Sequence, residues 1–250
     1  MRKHEGDAPI TAFKGGQFVF WRFFAAAFAV AALAGCVTKA NSQIDTLKRP
    51  AGQPRIVLMP VDVELSELTA GGLHEPKADW TESARRNLAS AFHAEKSALG
   101  LNVVEFDDSP LPQEQRDALN QISKLHGAIG QTIQLHQYIN GAQLPTKRGR
   151  MDWTIGESVR ELRAVQDADY AMFVFVRDSY TSAGRAALMV AAAVLGVGIQ
   201  GGAQLGFVSL VDLETGDIVW FNRLVRGSGD LRTPEPARET ARTLLTGLPK

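Results

Sequence analysis

Tyr170-Ala171-Met172-Phe173-Val174-Phe175-Val176-Arg177 is the stretch that decides the fold. From Ala171 to Val176 no polar residue interrupts it, and its aromatic and β-branched side chains suit a pleated backbone. A strand with one wet face alternates apolar and polar residues. Here Met172, Val174 and Val176 on one face and Phe173 and Phe175 on the other are all apolar. That pattern predicts a central strand covered by helices on both sides.

Toward the carboxyl end, residues 203–212 and 217–225 read as two further strands. Glu214-Thr215-Gly216-Asp217 forms the turn between them, with Gly216 where a positive φ is needed. Residues 234–245 read as a helix with Thr233 as cap and Pro234 in the first turn. Toward the amino end, residues 158–165 read as a short helix and 141–150 as a basic surface loop (Lys147, Arg148, Arg150). Residues 113–140 read as one or two helices broken near Gly127 and Gly130. Residues 101–106 form a strand, and 81–98 a helix capped by Asp79 or Thr81 and stopped by Gly100. Residues 64–79 read as a loop. Residues 55–63 read as a strand that Pro60 turns into an edge or a bulge. The sum is an α/β (α+β) domain over residues 55–250: a mixed sheet of about five strands covered by helices, with a late β-hairpin.

The chain has 250 residues, 45% hydrophobic and 22% charged, with zero formal net charge. The first 35 residues hold four basic side chains (Arg2, Lys3, Lys14, Arg22) and two acidic ones (Glu5, Asp7), so the remainder is slightly acidic. Nothing in this balance suggests a nucleic-acid partner. Cys36 is the sole cysteine, which excludes an intramolecular disulfide and a multi-thiolate zinc site.

Those basic residues precede the apolar run 23–35 (FFAAAFAVAALAG), which is shorter than the roughly 20 residues of a membrane span and suits a secretory signal. The run ends in Leu33-Ala34-Gly35-Cys36, which resembles the lipobox of bacterial lipoproteins. The resemblance implies a signal peptide over 1–35 and a lipidated Cys36 that serves as the membrane anchor. Residues 36–54, polar and loop-like, then read as a lipidated tether. In a Gram-negative host, Val37 in place of an Asp after the cysteine implies the periplasmic face of the outer membrane. The order of elements, with residues 55–63 after a tether and the late hairpin at 206–224, also resembles small envelope α/β domains: the amino-terminal domain of TolB and the curli-secretion lipoprotein family. That resemblance brings no catalytic residues.

Residues 186–206 (AALMVAAAVLGVGIQGGAQLG) carry no charge. Their first expected place is the core, as a buried helix over 186–195 followed by a glycine-rich loop. A sharper reading makes Leu188, Val190, Ala192, Leu195, Gly196, Gly198 and Gly201 a self-association or membrane surface, because small residues let backbones approach. Gly196-Val197-Gly198-Ile199-Gln200-Gly201 spells G-x-G-x-x-G, but it closes a helix instead of opening one after a strand, so a dinucleotide site is not expected. His74, His93, His126 and His136 form no metal-binding spacing. Asp107-Asp108 and the Asp167/Asp169 pair lie beside strands, where solvated loop carboxylates are common. The expected function is therefore non-enzymatic: a lipid-anchored structural or assembly component of the envelope, in a secretion or surface-polymer export system, as a homo-oligomer or with an envelope partner, without cofactor or metal. The alternative is a tethered periplasmic enzyme using Asp107, Asp108 or His74, or a small-ligand module.

Overall fold

The apolar run at 170–177 lies inside a twelve-residue strand at the middle of a mixed sheet. The computed structural model describes residues 37–48, 52–227 and 229–249. The signal segment, Leu33, Ala34, Gly35 and Cys36 lie outside the described residues. In chain order the strands are β1 (Val37–Ser42), β2 (Arg55–Leu58), β3 (Asp62–Leu68), β4 (His74–Pro76), β5 (Asn102–Glu105), β6 (Tyr170–Thr181), β7 (Gln204–Asp212) and β8 (Ile218–Arg226). The helices are α1 (Ala78–Leu99), α2 (Gln113–Tyr138), α3 (Arg160–Gln166), α4 (Ala183–Val194) and α5 (Pro234–Leu244).

The sheet runs β1-β8-β7-β6-β2-β5, with β3 also beside β6 and β4 paired to β3. From β1 to β6 the pairs are antiparallel; β6 pairs in parallel with both β2 and β3, and β2 with β5. Met172, Val174 and Val176 pack with Leu88 and Phe92 of α1 and Ala241 and Leu244 of α5. Phe173 and Phe175 pack on the other face with Leu119, Ile122 and Ile133 of α2. Helices therefore cover both faces of β6, as its sequence predicts.

The sheet has eight strands where about five were expected, and each addition has a backbone reason. Residues 55–68 make two strands on the same flank of β6. From Leu58 to Asp62 the chain advances four residues while β6 advances three, from Met172 to Phe175. Pro60, which has no N–H to donate, sits in that one-residue surplus. Part of the expected loop 64–79 then continues β3 and returns as β4, after a turn in which Gly72 has φ +85°. The expected tether also starts as a strand. Val37–Ser42 pairs with β8 along its full length, and Gln43 N donates to Val219 O at 2.8 Å. Apolar patterning does not reveal β1, because it joins by main-chain pairing at a sheet edge.

Helix α2 runs unbroken through Gly127 and Gly130. Gly130 serves packing, since a Cβ there would lie 2.1 Å from Cε2 of Phe207, whereas one on Gly127 would make only an ordinary contact, 3.5 Å from the Phe175 ring.

Candidate functional site

Strand register places several features at one end of the sheet. β6 runs toward Thr181, and α4 follows directly. β7 starts at that end with Gln204 opposite Asp178, and β8 finishes there with Arg226 opposite Gln204. β1 starts there too, since Val37 pairs with Val225, Val225 with Leu205, and Leu205 with Arg177. The opposite end carries the turn between β7 and β8.

Helix α4 projects from this end without one buried residue. Ser182 caps it, its Oγ accepting from Arg185 N at 3.2 Å. Arg185 fastens it, donating from Nε to Gln200 O at 2.9 Å and from Nη1 to Thr69 O at 3.5 Å. Arg185, Met189 and Ala192, at helical spacing, are only partly exposed. The outward face holds Leu188 (43% exposed), Val190 (69%) and Val194 (82%), and continues into Leu195 (80%) and Val197 (54%). An ordinary surface helix turns charge outward and apolar residues inward; α4 does not. The expectation of burial in the domain's own core for 186–195 is overturned. The two apolar layers are complete without it, and the chain must return from Thr181 to Gln204 at the rim of the sheet.

The structure separates the glycines that the sequence grouped. Gly196 has φ +75° and ends α4; no atom lies within 4 Å of a Cβ built on Gly198. Gly201 instead turns inward, where a Cβ would lie 3.1 Å from Thr181 Oγ1 and 3.3 Å from Met189 Cε. Next to it, a Cβ on Gly202 would lie 2.0 Å from Ser179 O, while Gly202 N donates to Thr181 Oγ1 at 2.8 Å. These two glycines let the returning chain lie on the end of β6.

Between the α4 loop and the β3–β4 hairpin is a cleft of about 480 Å³. Ser66, His74, Arg177, Asp178 and Arg185 are among its lining residues. Ser66 Oγ and His74 Nδ1 are 3.0 Å apart, and Arg177 Nη1 pairs with Asp62 Oδ1 at 2.8 Å. Sequence reasoning missed the buried polar network beneath the cleft. Asp178 Oδ2 accepts from Tyr180 Oη and from Gln204 Nε2 at 2.9 Å. Arg226 Nε donates to Gln204 Oε1 at 2.7 Å, and Nη1 to Glu239 Oε1 of α5 at 3.1 Å. Burial raises the Asp178 carboxyl above its ordinary value, against the bonds from Tyr180 and Gln204. Burial and the adjoining Asp178 push the Tyr180 phenol up. The signal in the sequence is three polar residues, Asp178, Gln204 and Arg226, at matching ends of apolar strands.

The other sequence candidates are dispersed. Asp107 Oδ1 accepts from Ser109 N at 2.9 Å and from Ser109 Oγ, which hold its carboxyl below the usual range; this is a local turn. Asp169 Oδ2 accepts from Arg55 N at 2.8 Å, while Asp167 sits at φ +47° after α3. His93 Nδ1 contacts Glu105 Oε1 at 2.7 Å on the surface. His136 Nδ1 contacts Ala142 O at 2.6 Å. His126 is a core residue: it stacks on Phe173 with centroids 4.5 Å apart, bonds Ser209 Oγ through Nε2, and is pushed by burial to a pKa of about 3. Among the described residues, no group of three or more His, Cys, Asp or Glu is placed to hold a metal ion.

No family model matches the chain, and no curated protein is similar to it. Among solved structures it is similar to a PelC dodecamer from Paraburkholderia phytofirmans, with 13% identity, a TM-score of 0.41, and 86% of this chain and 98% of that chain covered. It also resembles the LpoB C-terminal domain from Salmonella enterica, with 13% identity, a TM-score of 0.24, and coverage of 71% and 85%. At this distance no residue role passes from those proteins to this chain.

Proposed function

We propose that the protein is a lipid-anchored component of the bacterial envelope, processed before Cys36 and held through it at the periplasmic face of the outer membrane, and that its domain acts by assembly, as a homo-oligomer or with an envelope partner. A secretion or surface-polymer export system is the setting that the sequence resemblance suggests. The observation that supports a contact beyond the domain itself is α4. Covering a valine or leucine side chain contributes about 1.5–3 kcal/mol, and Val190, Val194 and Leu195 stand uncovered together. The lipobox supports the anchor. The test is the mass of the mature amino terminus with membrane fractionation of wild type and Cys36→Ala. A diacylated or triacylated Cys36, and a variant that stays an unprocessed, unacylated precursor, are expected. An unmodified Cys36, or a mature chain starting elsewhere, refutes the reading.

The polar cleft favours a second reading, a module for a small polar ligand or a tethered enzyme, with His74 and Arg177 in contact with the ligand. A ligand whose thermal stabilisation of the wild type disappears in Arg177→Ala supports it; retention in that variant removes the cleft from consideration.

A further inference from the structure

We infer that α4 is a membrane-contact helix that lies along the surface of the bilayer to which Cys36 anchors the chain. The inference rests on the lipoprotein reading and adds to it the occupant of the uncovered face. Three observations carry it.

The first is where the chain leaves the fold. Val37 is one peptide bond from Cys36, and it is already paired to Val225 in the sheet. Val37 and Arg177 are separated by three strand spacings, about 14 Å at roughly 4.8 Å each. Acyl chains on Cys36 therefore enter lipid beside the end of the sheet from which α4 projects, and no long arm lets the domain stand off.

The second is the chemistry of the face. From Ala186 to Leu205 the chain carries no charge, and its most exposed large apolar side chains are Val190, Val194 and Leu195. Arg185 is bound by backbone carbonyls of Gln200 and Thr69, away from that face. Lipid accepts such a face without any complementary polar group.

The third is length. α4 has twelve residues, about 18 Å of helix. A span needs about 20 residues, and among the described residues no helix is long and apolar enough to cross a membrane. A short apolar helix beside an anchor lies in the interface, with its outer face about 5–10 Å into the headgroup and acyl boundary.

The mature lipidated protein has no free thiol, because Cys36 is its only cysteine, so one added cysteine reports one place. Val194→Cys carrying a polarity-sensitive dye is reconstituted in vesicles of phosphatidylethanolamine and phosphatidylglycerol. Glu214→Cys, in the turn at the opposite end of the sheet, is the control. The expected result is a blue-shifted dye at position 194, quenched by spin-labelled lipid, and an aqueous, unquenched dye at 214. A lipidated protein whose dye at 194 stays aqueous overturns the inference alone. So does a blue shift that lipid quenchers leave untouched and that grows with protein density, since a second copy then covers α4. An unacylated amino terminus overturns the anchoring reading and this inference with it. Acyl number by mass and dye position by quenching keep the two failures apart.

Discussion

Adding one methyl group to α2 should have opposite effects at two glycines one helical turn apart. Gly→Ala in a helix interior is favoured by about 1 kcal/mol of propensity. At Gly127 the new Cβ meets the Phe175 ring at 3.5 Å, an ordinary contact, so Gly127→Ala should be neutral or stabilising by up to about 1 kcal/mol. At Gly130 the Cβ falls 2.1 Å from Cε2 and 2.3 Å from Cζ of Phe207. That ring has little room to withdraw: it is fully buried and stacked on Phe175 at 4.7 Å and Phe221 at 5.3 Å between centroids. Overpacking of this kind costs about 1–3 kcal/mol or more. Even after the propensity gain, Gly130→Ala should lie about 1–3 kcal/mol below Gly127→Ala. Urea unfolding of a chain beginning at residue 37 measures this from the two midpoints, with equal m-values showing that only stability has changed. If Gly130→Ala is as stable as Gly127→Ala, the ring stack does not set the distance between α2 and the sheet.

Val174 is 2% exposed in the central strand; Val174→Asp should cost several kcal/mol and abolish the cooperative thermal transition. The same change at Val194, 82% exposed, should leave the melting temperature of the soluble domain within a few degrees. His126 titrates in the folded state at about 3 because it is buried, against roughly 6.5 when unfolded. Its contribution is complete above pH 6.5 and is lost as pH falls from there toward 3, by up to about 1.4 kcal/mol per pH unit. Stability curves of wild type and His126→Gln should therefore converge on acidification, and parallel curves would contradict a neutral buried imidazole. Removal of β1, by starting the chain at residue 52, should cost several kcal/mol, since paired main-chain groups contribute about 1 kcal/mol each and Gln43 Nε2 to Ile218 O at 2.9 Å is lost with them; an unchanged midpoint in urea would show that residues 37–48 are a loose tether.

The parts of this fold that were legible in the sequence are those where side-chain chemistry sets the structure. Strand β6 could be read because both of its faces are buried, and the β7–β8 hairpin because Gly216 (φ +83°) is needed in its turn. Main-chain pairing carries no such mark, so β1 and β4, which hold polar residues and join at the margins of the sheet, read as loop. Gly127 and Gly130 read as breaks from their low helix propensity; at Gly130 the residue instead answers to the Phe207 ring, a requirement that carries the same sequence signature. Residues 186–195 reversed the usual inference, since an uncharged helical run reads as core whenever the sequence does not reveal that the core is already full. Of the candidate site, the sequence held the apolar surface but dispersed the cleft, whose residues come from β3, β4, β6 and the loop after α4.

The strand that the sequence hides also bears most on function. A lipid anchor on a flexible arm of about 18 residues would leave the domain free to tumble some 20 Å or more from the membrane, and an apolar helix anywhere on it would be an aggregation hazard. With β1 paired in the sheet from Val37 onward, an anchor at Cys36, as proposed, would have no such arm. Asn41 Nδ2 donates to Tyr138 Oη at 2.6 Å, tying the strand to the helix layer on one face of the sheet. If Cys36 carries the proposed lipid, the domain would be held in one orientation, with the end of the sheet that carries α4 toward the membrane. On the proposed reading, lipidation and the uncovered helix are parts of one arrangement: the anchor would supply affinity, and α4, through several moderately apolar contacts, would fix how the domain faces the space beyond. An envelope component that must present a constant surface to its partners needs both.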